Sequence, residues 1–198
     1  KNIEEWKSIL HRYERIPNKE IQKILKVSFD ALEEDEQGVF LDIACCFKGY
    51  DLREVKDILC AHHGQCIDYL IGVLVEKNLI KIIHLDSHAT VTLHDLIEDM
   101  GKEIVRQESP KEPGKRSRLW FYEDIVKVFE ENLGTSQIEI IYLKFPLFEE
   151  EVDNEEEVEW KGDELKKMKN LKTLIIKNGR FSRAPEQLPN SLRVLEWP

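Results

Sequence analysis

The sequence predicts a mainly α fold in which short amphipathic helices surround one β-hairpin and give way, near the C-terminus, to strands that repeat. Three observations carry this. Apolar residues recur at helical spacing in most segments up to residue 132. Two β-branched stretches meet at a polar turn between 79 and 93. A strand-like heptapeptide recurs at an offset of 21 residues.

Residues 3–13 and 19–29 are expected as helices parted by Ile16-Pro17-Asn18, the second with Ile21, Ile24, Leu25 and Ser28 on one side. A third begins near Asp35, places Phe40, Ile43, Ala44 and Phe47 on one face and stops at Gly49. Asp51 opens a fourth, with Glu54 three residues on as in a capping box and Leu52, Val55, Ile58 and Leu59 inward. A fifth runs from about Cys66 to Lys77, burying Ile67, Leu70, Ile71, Leu74 and Val75. The period then shortens to two. Residues 79–83 and 90–93 are expected as strands joined by Asp86-Ser87-His88, and three helices followed by a hairpin make a winged-helix arrangement. Asp95 is expected to cap the next helix, Glu98 closing a second capping box and Leu96, Ile97, Met100, Ile104 and Val105 forming its stripe. After the loop 109–118, residues 123–132 should form the last helix.

The repeat aligns Asn170-Leu171-Lys172-Thr173-Leu174-Ile175-Ile176 with Ser191-Leu192-Arg193-Val194-Leu195-Glu196-Trp197. Its spacing lies in the range of leucine-rich repeats, roughly 20–29 residues, and each copy has the apolar strand core of that type. Residues 138–143 offer an earlier, divergent strand. The expected C-terminal part is therefore the start of an α/β leucine-rich-repeat solenoid.

Charge narrows the function. The 198 residues carry 29 Lys plus Arg against 39 Asp plus Glu, a net −10, with 41% hydrophobic residues. The acidic run 149–159 holds eight acids and no base, and removing its charges leaves −2 for the rest. Residues 35–80 hold four basic side chains against eight acidic ones, net −4. A helix such as 66–77, with Asp68, Glu76 and a single Lys, would be repelled by phosphates, so a winged-helix DNA-binding regulator stands as an alternative that charge disfavours. A leucine-rich-repeat interaction scaffold is the other alternative. The longest apolar run, residues 70–75, is too short to cross a bilayer, which takes about 20 residues. The N-terminal KNIEEWKSIL resembles the middle of a helix, so a longer protein is expected around this chain.

No assembled chemistry is expected within it. Gly114-Lys115 lacks the first Gly and the Ser or Thr of a phosphate loop, since Ser109 and Arg116 stand there. Cys45, Cys46, Cys60, His62, His63 and Cys66 match no structural zinc pattern, and are expected as reduced thiols and surface imidazoles with no metal. The most informative stretch is Leu93-His94-Asp95-Leu96-Ile97-Glu98-Asp99-Met100-Gly101, which sets an imidazole at a helix start, where free N–H groups and the dipole favour an anion. On spacing alone two readings stand. His94 donates to a phosphate brought by another domain, or Asp95 is only a helix cap and His94 a loop residue.

Phe40-Leu41-Asp42-Ile43-Ala44-Cys45-Cys46-Phe47, then the 93–101 stretch, then Arg116-Ser117-Arg118-Leu119-Trp120 together resemble plant intracellular immune receptors of the TIR, NB-ARC and leucine-rich-repeat type. The resemblance implies that 1–32 end a helical subdomain, 33–108 form the winged-helix subdomain, 109–135 a connector, and 136–198 the first repeats with the acidic insertion. It implies that His94 contacts the β-phosphate of ADP in the resting state and that Asp95 stabilises that state. Leu93 stands where the family motif has Met. ADP or ATP is then a cofactor of the full-length receptor only, completed by a phosphate loop outside this chain, and none is expected for the chain alone. Hydrolase and TIR NAD-cleaving activity would belong to the whole receptor, and these residues are not expected to form an enzyme. The implied partners are the upstream nucleotide-binding domain, the downstream repeats, a pathogen effector and further copies in an oligomer, with no nucleic acid and no membrane span. The implied compartment is the cytoplasm, with the nucleus as a second.

Overall fold

The computed structural model of the chain describes residues 19–144, 163–178 and 185–197. The helix expected at 3–13 and the acidic run 149–159 lie outside the described residues. Helix α1 (Lys19–Asp30) leads to α2 (Glu34–Asp42), whose start is fixed by the Glu36 carboxylate accepting from the Glu33 N–H at 2.9 Å. Phe29 of α1 meets Phe40 of α2 with ring centroids 5.5 Å apart. The helix then widens into a π-helical turn, Ile43–Phe47, with all five side chains buried. Gly49, at φ 86°, follows that turn.

Helix α3 (Leu52–His63) opens as expected at Asp51, whose carboxylate accepts from the N–H groups of Arg53 and Glu54. Glu54 does not complete a capping box; its carboxylate lies 3.6 Å from Lys177. Gly64, at φ 72°, ends the helix with its N–H on the Cys60 carbonyl. Helix α4 (Asp68–Glu76) starts two residues later than expected. The hairpin is β1 (Lys81–Leu85) and β2 (His88–Thr92), antiparallel with Ile82 opposite Val91. Leu79 and Ile80 were expected in the first strand. They are instead fully buried plugs whose N–H groups return to the Leu74 carbonyl, so the strand starts later. Helix α5 (Asp95–Glu108) then crosses the π turn, bringing Gly101 against Ala44 and Phe40 so closely that a Cβ there would lie 2.7 Å from Ala44 Cβ.

Strand β3 (Arg118–Leu119), helix α6 (Tyr122–Glu130), and strands β4 (Ile140–Lys144), β5 (Thr173–Lys177) and β6 (Val194–Glu196) follow, with short 3-10 turns at Pro113–Lys115 and Glu164–Lys167. The four strands form one parallel sheet in chain order. Thr173 sits opposite Val194 and Leu174 opposite Leu195, so the 21-residue offset of the sequence is the register of the ladder. The earlier strand expected at 138–143 is β4, and β3 is a further rung that periodicity could not reveal because it is two residues long.

Side chains alternate between the two faces of a strand, so a sheet covered on both sides feeds two cores. Ile140, Ile175, Tyr142 and Val194 join the winged-helix core of Phe40, Phe47, Leu59 and Leu74. Ile141, Leu143, Leu174 and Ile176 join a second core with Ile125, Phe129, Leu165 and Met168. Among the described residues no single helix is long and apolar enough to cross a membrane.

Candidate functional site

Two backbone bonds, Gly49 N–H to the Val91 carbonyl at 2.8 Å and Val91 N–H to the Tyr50 carbonyl at 2.9 Å, tie β2 to the chain after the π turn. Lys48 is thereby set beside the start of α5. Leu93 is buried at the end of the hairpin. His94 follows with extended backbone, and its Nδ1 accepts from the Leu96 N–H at 3.2 Å. The helix cap is therefore His94, one residue ahead of the expected Asp95. Asp95 is the first helical residue, and its carboxylate turns to the Lys48 ammonium at 2.6 Å. Glu98 closes no capping box either: it accepts from Lys48 and, at 2.5 Å, from Lys102.

An imidazole whose Nδ1 accepts is, when neutral, protonated on Nε2. His94 is exposed, so it offers a ring N–H donor at a helix start whose dipole favours an anion. The carboxylates of Asp95, Glu98 and Asp99 crowd the same end, and Lys48 and Lys102 offset them. The hydrogen bond from Lys48 holds the Asp95 carboxyl below its ordinary range. Burial, then Glu98, pushes Asp99 up. Burial would lower Lys48, but its two carboxylate partners raise it overall. Beside His94 lies a cavity of about 360 Å³ walled by Leu25, Leu79, Ile80, Leu93, Leu96 and Ile97. The structure thus joins the two sequence stretches 40–48 and 93–101 into one site.

A second polar cluster escaped the sequence reading. Asp42 is wholly buried and accepts from Arg118 Nε at 2.5 Å and bonds His63 Nε2 at 2.7 Å. Burial alone would raise its carboxyl, but Arg118 and His63 hold it down to about 2. His62, expected at the surface, is 1% exposed; its Nδ1 meets the Thr173 hydroxyl at 2.9 Å, and its Nε2 lies 3.7 Å from Glu139. His62 and then Lys172 bring Glu139 down to about 2 against its partial burial. The expectation of surface imidazoles fails because the end of α3 packs on the sheet. Asp42, His62 and His63 present ligand atoms within 4.8 Å of one another. The Arg118 guanidinium already neutralises Asp42, so a dication there would sit against a fixed positive charge. Cys45 and Cys46 are buried, with burial pushing the Cys45 thiol up to about 12 and Cys46 well above its ordinary value. Helix α4, in the position of a recognition helix, turns Tyr69 and Glu76 outward and has no Lys or Arg between Asp68 and Glu76, the exposed Lys77 following at its end.

Comparison with known proteins identifies this architecture. Residues 33–109 match the winged-helix domain of the "Disease resistance protein Roq1-like" family. The chain belongs to the plant disease resistance proteins of the TIR-NB-ARC-LRR type. It is 36% identical to Disease resistance protein RPP5 of Arabidopsis thaliana over 196 residues, 98% of this chain and 13% of that protein. It is 32% identical to TMV resistance protein N of Nicotiana glutinosa over 191 residues, 96% and 16% respectively. Against Protein SUPPRESSOR OF npr1-1, CONSTITUTIVE 1 of Arabidopsis thaliana it is 35% identical over 195 residues, 97% and 12%. The chain thus spans under a fifth of these relatives. The matched region is the winged-helix domain of multidomain resistance proteins rather than a known catalytic domain.

Proposed function

We propose that this winged helix is the regulatory segment of an immune receptor switched by ADP and ATP, and that His94 is its contact with nucleotide. The observation that carries the reading is the start of α5, where His94 caps the helix through Nδ1 and keeps an exposed Nε2–H beside an apolar cavity. ADP held by a phosphate loop elsewhere in the receptor would accept from that N–H and bind the closed state better than the open one. Only such a difference in contacts lets a nucleotide bias a switch. Asp95 serves the resting state through Lys48, anchoring the start of α5 to the turn after the π helix.

In the same reading residues 1–32 end the helical subdomain, 33–108 form the winged helix, 109–135 connect and supply β3, and 136–198 begin the leucine-rich repeats, with the parallel strands β4–β6 as their first rungs. Exchange to ATP, driven by effector sensing at the repeats, would release the winged helix and permit oligomerisation in the cytoplasm or nucleus. The test is expression of full-length receptor variants in leaf tissue. His94→Ala and Asp95→Val should each give cell death without effector. Effector-dependent behaviour retained in both would remove the role assigned to these residues.

A further inference from the structure

A stack of parallel strands buries each strand only against its neighbours, so the first rung leaves an edge and a face uncovered unless another element takes them. Here the first edge is closed by β3, where Arg118 pairs with Ile140 and Leu119 with Ile141. The Ser117 carbonyl accepts from the N–H groups of Glu139 and Ile140. That short strand is held from the winged helix. Arg118 donates through Nε to Asp42 and through a terminal nitrogen to the Gly38 carbonyl at 3.2 Å.

The covered face continues rung by rung. Tyr50, after the π turn, meets Tyr142 of β4 hydroxyl to hydroxyl at 2.7 Å. His62 of α3 meets Thr173 of β5. Arg193, which precedes β6, donates to the carbonyls of Ala61 and His62 at 3.3 and 3.1 Å. Every rung therefore receives a polar contact from the same domain, while Ile140, Ile175 and Val194 fill that domain's core.

We infer that the winged-helix domain is the N-terminal cap of the parallel strand stack, with Asp42, Tyr50 and His62 as its docking side chains. A buried ion pair on β3, a tyrosine pair on β4 and an imidazole–threonine bond on β5 give the domain a register on the ladder that apolar contact alone would leave free to slide. The inference needs the parallel ladder and not the nucleotide reading.

Hydrogen exchange of the 198-residue chain, followed strand by strand by mass spectrometry, tests it. Asp42→Asn leaves Arg118 buried beside a neutral partner and should speed exchange of β4 and β5 amides by about a hundredfold or more, although no residue of either strand is changed. Thr173→Val, made in the sheet, should speed the last turn of α3 by the same factor as β5. Tyr69→Ser, on the exposed side of α4, should leave the strands at wild-type rates. Acceleration of α2 and α3 in Asp42→Asn with β4 and β5 unchanged overturns the cap, and so does no change anywhere. Should Asp42→Asn fail to fold, Tyr142→Phe decides: the cap requires the segment around Tyr50 to open with β4, and opening of β4 alone overturns it.

Discussion

Asp42 is the residue on which the sheet and the winged helix most depend. Its folded carboxyl titrates at about 2 against an ordinary value of 3.8, so its stabilisation is present above about pH 4 and is lost as pH falls toward 2. Urea unfolding should find Asp42→Asn about 3–5 kcal/mol less stable than the parent at pH 7, because the substitution strands a buried guanidinium. The gap should narrow by on the order of 2 kcal/mol between pH 4 and pH 2. A gap independent of pH would show that the Asp42 carboxyl titrates alike in the folded and unfolded protein, and a gap that widens as pH falls would show that it is neutral when folded. Arg118 is 76 positions away in sequence, and a lone aspartate inside an apolar helix carries no mark of a partner that distant. The same holds for His62, whose neighbours His63 and Gly64 suggest a frayed helix end. His94 was legible because its chemistry is local: the strand end, the imidazole and the helix start are consecutive. Even there the cap was misplaced by one residue, since Asp is the commoner cap and only the position of Lys48 shows why Asp95 is drawn elsewhere.

Among the elements, the crossing of α5 over the π turn sets the geometry around His94. Gly101 allows it. A methyl group there would meet Ala44 and Phe40 at 2.7 and 3.2 Å, both on rigid, buried elements. Gly101→Ala should therefore destabilise by about 1–3 kcal/mol, lowering the melting midpoint by about 2–10 °C, despite the higher helix propensity of alanine. Gly72→Ala in α4, where nothing lies within 4 Å, should have the opposite sign and raise stability by up to about 1 kcal/mol. Differential scanning calorimetry of the pair separates propensity from packing, and equal signs would sink the crossing proposed for α5. Helices and hairpin were readable because each buries a stripe of its own residues. The two-residue β3 and the π turn were not, because both owe their form to what packs on them.

For the whole molecule, the sheet belongs to two cores at once, one shared with the winged helix and one with α6. The cysteines sample this unevenly: Cys45 and Cys46 are buried, Cys60 is intermediate and Cys66 is exposed. A thiol reagent at pH 8 should modify Cys66 first and Cys60 more slowly, and should reach Cys45 and Cys46 only at the rate of global unfolding, as peptide mapping would show. Labelling of Cys45 as fast as Cys66 would contradict the packing of the π turn. The architecture was legible in broad outline because the winged-helix trio and the 21-residue offset are periodic signals. How the two parts meet was not, since that depends on which face each element turns to the other.

The π turn has one more consequence. Such a turn is an α-helix with one residue too many, and the surplus shifts the angular phase of everything after it by about 100°. Asp42 lies just before it and is committed to the sheet; Lys48 lies just after it and is committed to Asp95 and Glu98. Deleting one residue between 43 and 47 would restore a regular helix and rotate the two charges out of step. Either the sheet or the His94 site would then have to give up its partner, so this stretch tolerates substitution by another apolar residue far better than any change in its length.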